Sequence, residues 1–105
     1  MSDTIKARTG IHDGVTTVRI IIRHPMYTGY ETDETTGKKI PAHYIENVSV
    51  FHRDTLVLQC DWSRAISANP YLSFEFSGAN PGDPIKISWQ DNLGESDSAE
   101  FEIAA

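Results

Sequence analysis

The sequence contains one cysteine, Cys60, so no internal disulfide can staple the fold and stability has to come from a hydrophobic core. No apolar run approaches the ~20 residues that a helical membrane span requires. Basic residues are scarce: nine against fifteen acidic ones give a net charge of −6. The imbalance is uneven, since residues 1–53 carry seven basic and six acidic side chains and residues 54–105 carry two and nine. Such a surface is a poor match for nucleic acid or anionic lipid, so neither is expected as a partner. Catalytic signatures are missing too. There is no Gly-x-Ser-x-Gly elbow, no glycine-rich phosphate loop after a strand, and no second cysteine at redox spacing. No catalytic residue and no cofactor is expected. The opening Met-Ser-Asp-Thr lacks a basic stretch followed by an apolar one, so the chain is expected to carry no export signal of its own and, taken alone, reads as cytoplasmic.

What is present is alternation. With 105 residues, 39% of them hydrophobic and 23% charged, the chain has the size and composition of one globular domain spanning residues 1–105. Its apolar residues recur with the two-residue period of strands buried on one face. Strands are expected at Thr4 to Arg8, Val15 to Arg23, Tyr44 to His52, Thr55 to Trp62, Tyr71 to Ser77, Pro84 to Trp89 and Ser96 to Ile103. The run Val18, Ile20, Ile21, Ile22 is too apolar for simple alternation and suggests coverage on both faces. Leu56, Leu58, Cys60 and Trp62 share one expected inward face. Ser63 to Pro70 reads as a crossover with room for one helical turn. Seven short strands with frequent turn residues and no helix fit an all-β, immunoglobulin-like antiparallel sandwich.

His24-Pro25 ends the second strand, because proline cannot donate to the ladder. From Met26 to Lys39 the chain is rich in Thr, Gly and charge and reads as a long exposed ribbon or loop. The segment Met26 to Tyr44 begins and ends at proline bends and carries Met26, Tyr27, Tyr30, Ile40 and Tyr44, with no alternation to bury them. Together with His24, Pro25, Pro41 and His43 they are the expected partner-binding surface.

The other reactive side chains read as structural. Cys60, flanked by Leu58 and Trp62, is expected in the core. His12, His24, His43 and His52 have no metal-ligand spacing, so no metal site is expected, although His24 and His43 each sit beside a proline bend. The acidic series Asp91, Glu95, Asp97, Glu100, Glu102 is expected on the outward face of a terminal hairpin.

Four motifs in order carry a resemblance: His24-Pro25-Met26 with Thr28-Gly29; Ile40-Pro41-Ala42 with Tyr44-Ile45; Asn69-Pro70-Tyr71-Leu72 with Phe74; and Gly82-Asp83 through Ile87 and Trp89 to Asp91-Asn92. From about Ile5 to Glu102 the chain resembles the SoxZ family, the smaller subunit of the sulfur-carrier heterodimer of bacterial thiosulfate oxidation. The resemblance implies an immunoglobulin-like sandwich without catalytic residues. It also implies a SoxY partner whose Gly-Gly-Cys-Gly-Gly arm carries sulfur, transient contact with other Sox enzymes, and a periplasmic location reached by crossing the membrane folded with a signal-bearing partner. This chain ends Glu102-Ile103-Ala104-Ala105, so the carrier thiol is expected on the partner. Two other classes compete: a free-standing sandwich binding a carbohydrate-type ligand through Tyr27, Tyr30, Tyr44 and Trp62, and a small redox or metal enzyme using the histidines or Cys60.

Overall fold

The strand β2, Val15–Ile22, alternates throughout its length: Thr16, Val18, Ile20 and Ile22 are buried, while Val15, Arg19 and Ile21 are exposed. β-branched side chains suit this pleated, half-buried surface. In the computed structural model, which describes residues 3–104, β2 is the middle of a three-stranded antiparallel sheet between β1, Ile5–His12, and β5, Tyr71–Ser77. A second antiparallel sheet has the order β4, β3, β6, β7, formed by Thr55–Asp61, Ile45–His52, Pro84–Asp91 and Ser96–Glu102. Between the sheets lies one core, including Val18, Ile20 and Ile22 from the first and Ile45, Val48, Val50, Ile85, Ile87 and Trp89 from the second. Fully burying such a side chain is worth about 1.5–3 kcal/mol relative to leaving it exposed, which is how a chain without disulfides holds two sheets together. The expected all-β sandwich of seven strands is the observed architecture.

Three expectations are corrected. Leu56 does not join Leu58 and Cys60 on the inward face. The register shifts between Val50 and Phe51, so that Val50 pairs with Leu58 but Phe51 pairs with Leu56, and this bulge turns Leu56 out to 46% exposure. Ile21 has no cover on its outer face among the described residues; it pairs with Lys6 on one side and Tyr71 on the other and stands 48% exposed. The segment from 63 to 70 forms no helix, only turns closed by the Ile66 amide donating to the Ser63 carbonyl. β1 runs on to His12, and Asp13-Gly14, at φ 51° and 78°, makes the two-residue hairpin whose twist suits antiparallel strands.

Residues 23–44, between β2 and β3, form an irregular ribbon whose two limbs are joined by isolated bridges, Tyr27 to His43 and Thr32 to Lys39. Asp33 closes the tip by accepting hydrogen bonds from the Thr35 and Thr36 amides, which holds its carboxyl below the ordinary aspartate range. The molecule is elongated, 52 × 23 × 21 Å.

Candidate functional site

The root of the ribbon is built from the backbone outward. As β2 ends, the His24 amide donates to Asn69 Oδ1 at 3.1 Å and the Asn69 amide donates back to the His24 carbonyl at 2.9 Å. Asn69 tolerates the positive φ of 49° this clamp requires, because its short amide side chain suits the left-handed region. Next, Met26 takes φ 52° and points its amide at Nδ1 of His24, 3.1 Å away. That hydrogen bond fixes the imidazole: Nδ1 accepts, so the proton sits on Nε2. Nε2 then donates to Oδ2 of Asp91 at 3.0 Å. From the other limb His43 Nε2 reaches the same Oδ2 at 2.7 Å, with Glu95 Oε2 a further 3.4 Å neighbour. The two rings meet edge to face at 4.5 Å, and His24 packs edge to face against Trp89 at 5.2 Å.

Asp91 is therefore not on the outward face. It is 2% exposed at the end of β6, where its side chain follows the inward parity of Ile85, Ile87 and Trp89. Its other oxygen, Oδ1, accepts from the amides of Leu93 at 3.0 Å and Glu95 at 2.9 Å, folding the β6–β7 turn around the carboxylate. Burial by itself raises the carboxyl pKa. The bonds from His24 and His43 and from the Glu95 and Leu93 amides outweigh it and hold Asp91 below the ordinary range. Asn92 completes the grip on the second limb: its Oδ1 accepts from the Tyr44 amide, its Nδ2 donates to the Ala42 carbonyl, and its own amide donates to the Tyr44 carbonyl.

The histidines thus separate into pairs of different fate. His24 and His43 converge although they are nineteen residues apart in sequence, which their lack of metal-ligand spacing did not announce. Together with Asp91 they place one ligand atom each within 4.8 Å, a spacing compatible with a cation. The proton arrangement favours a hydrogen-bonded pin instead. A cation on Nε2 of His24 would move that proton to Nδ1, where the Met26 amide already points, whereas metal-bound imidazoles donate from the second nitrogen. His52 lies at the opposite end of β6 with Asp83, and His12 is exposed in a surface pair with Asp13.

Of the residues expected to form a partner surface, His24 and Met26 are inside: they are 3% and 4% exposed and act from beneath the ribbon. Tyr27, Ile40, His43 and Tyr44 are half-buried, while Pro25, Tyr30 and Pro41 are exposed. Tyr30 is 72% exposed, with Lys39 Nζ 5.4 Å and the Arg64 guanidinium 6.0 Å from its ring centre. Arg64 also donates to the Thr28 carbonyl, tying the crossover after β4 to the ribbon. The aromatic platform considered for a carbohydrate does not assemble, because Tyr44 and Trp62 pack against the core and Tyr30 lies beneath two cations. Cys60 is half-buried opposite Val48; burial first, and then the neighbouring Asp61 charge, push its thiol pKa up, which lowers the thiolate fraction that a nucleophile needs.

With this geometry in hand, comparison with known proteins identifies the lineage. The family described as sulphur oxidation protein SoxZ matches residues 5–102, nearly the whole chain. The chain belongs to the SoxZ family. As a SoxZ family member it is a subunit of the Sox sulfur-oxidation system. Among curated proteins no sequence matches it. Solved structures share its fold at low identity. The hypothetical protein PH1083 of Pyrococcus horikoshii OT3 is 16% identical over 97% of this chain and 88% of its own, with a TM-score of 0.65. A superoxide reductase (neelaredoxin) from Ignicoccus hospitalis is 15% identical over 98% of this chain and 80% of its own, with a TM-score of 0.64. At these identities the likeness concerns the SoxZ fold alone.

Proposed function

We propose that the chain is the non-catalytic scaffold of a sulfur-carrier heterodimer. It binds a SoxY-type subunit and helps present that partner's cysteine arm to thiosulfate-oxidising enzymes. Membership of the SoxZ family supports the system, and the ribbon supports the mode of action. The observation that carries the reading is the pinned root. A buried carboxylate, two imidazoles and Asn92 hold both limbs of residues 23–44 against the sandwich, so the ribbon presents a preset surface with little ordering cost on association. The chemistry of the described residues agrees with a scaffold role. The histidines nearest the ribbon are committed to Asp91, and the Cys60 thiol is shifted away from ionisation. The heterodimer works in the periplasm, and this subunit crosses the membrane folded with its signal-bearing partner. Other Sox enzymes meet the pair transiently.

Co-purification with a co-expressed SoxY-type subunit tests the reading. Tyr30→Asp changes an exposed aromatic and should weaken the complex about tenfold or more, with an unchanged melting temperature. Tyr27→Asp combined with Ile40→Asp should abolish it. Full affinity in both variants would remove the ribbon from the interface.

A further inference from the structure

The outer face of the three-stranded sheet is basic and apolar in a protein that is otherwise acidic. Along it, Lys6 pairs with Ile21 and Ile21 with Tyr71 in one row; Arg8 pairs with Arg19 and Arg19 with Ser73 in the next. Ile21 and Tyr71 are 48% and 59% exposed. Lys6, Arg8 and Arg19 are all exposed, and none of the three forms an ion pair or side-chain hydrogen bond among the described residues. The acidic side chain of that face, Glu75, lies two residues further along β5 and accepts from Thr17 instead. Like charges directly opposite one another on neighbouring strands are destabilising, so an unrelieved Arg8–Arg19 pair costs stability until a carboxylate or other anion meets it. The apolar row beside it follows the pattern of a strand covered on both faces, yet the described residues cover one. These residues line a shallow groove of about 620 Å³ along β1 and β2.

We infer that this face is a second part of the heterodimer interface, seating an acidic segment of the SoxY-type subunit in which carboxylates meet Arg8, Arg19 and Lys6 and an apolar side chain lies on Ile21 and Tyr71. The occupant follows from charge complementarity: three unpaired cations in a chain of net −6 select an acidic surface, and the adjoining apolar row distinguishes a protein segment from a free oxyanion. The inference rests on the scaffold reading and adds to it the face and the chemistry of the counter-surface.

The test is titration of the purified chain with the purified SoxY-type subunit across a salt series. Arg8→Glu with Arg19→Glu should raise Kd about tenfold or more and flatten its salt dependence, since exposed interfacial charges act mainly through salt-sensitive association. Ile21→Asp should also raise Kd, with less change in salt slope. All three positions are exposed, so melting temperatures serve as the folding control. If these variants bind like the unmodified chain while Tyr30→Asp binds weakly, the present inference is overturned and the scaffold reading stands. If the unmodified chain does not bind the SoxY-type subunit at all, both fall. Sodium sulfate competing far better than sodium chloride at equal ionic strength, through binding to the isolated chain, would make the face a free-oxyanion site and overturn the docking assignment.

Discussion

The two ends of β6 solve the same problem with different consequences. Asp83 precedes the strand and Asp91 ends it; both are buried, both close a turn through their own carboxylate, and both accept from imidazole Nε2. At the Asp83 end the amide of Asn80, His52 and Arg53 converge on the carboxylate and hold its pKa down to about 2. What they secure is small: the two-residue connection at Arg53-Asp54, with Arg53 at φ 56°, and the turn before β6. His52 also packs against Phe76 of the other sheet, so this end closes the sandwich. At the Asp91 end a similar carboxylate holds residues 23–44. One polar device serves as a plug at one end and as the foundation of a protruding ribbon at the other. What differs between the two ends is the length of chain attached to the buried carboxylate, and the proposed partner surface lies on the longer one.

Substitutions at the two aspartates should separate these roles. The largest effect is expected from Asp91→Ala, which strands two imidazoles and two amides in a buried site and should cost about 3 kcal/mol or more by chemical denaturation. Amide exchange should accelerate across residues 23–44, and affinity for the SoxY-type subunit should fall. Asp83→Ala should lower the melting temperature without changing amide exchange in the ribbon or partner affinity; loss of affinity there would erase the distinction between the ends. Acid provides a finer comparison. Both carboxyls titrate below their unfolded value of about 4, so each contributes stability that is complete above that pH and fades as pH falls through the folded value. Asp91→Asn should accordingly flatten the stability profile below about pH 4, and ribbon exchange in the unmodified chain should rise over the same window. The smallest effect is expected from Cys60→Ser, about 1 kcal/mol for a half-buried hydroxyl, with partner binding unchanged.

The architecture was legible because its cause is local. Alternation along Leu72, Phe74 and Phe76, or along Ile85, Ile87 and Trp89, states which face is inside without reference to any other strand. Where a bulge intervenes the same rule fails, and Leu56 is the example: one extra residue in β4 reverses its face, and no residue type announces it. The pinned site was hidden for a different reason. His24, His43 and Asp91 are assembled by pairing between strands distant in sequence, so their spacing carries no motif. The signals that existed were indirect: proline bends beside both histidines, and Asp91-Asn92 before Gly94, the composition of a turn closed by an aspartate side chain. Asp91 was expected outside with the acidic residues that follow it, yet its position in β6 continues the inward series and carries it to the core. Ile21 shows the converse: a pattern that implies two covered faces is met by one sheet, and among the described residues its outer face stays 48% exposed.

The central claim is that this chain positions a sulfur-bearing thiol it does not itself possess. Intact-protein mass spectrometry of the co-expressed pair, after incubation with thiosulfate and its oxidising enzymes, tests this most directly. The account predicts a one-to-one complex in which added sulfur mass is confined to the SoxY-type chain and this chain keeps its unmodified mass. A sulfur adduct on Cys60, or recovery of this chain alone beside a modified partner, would contradict it.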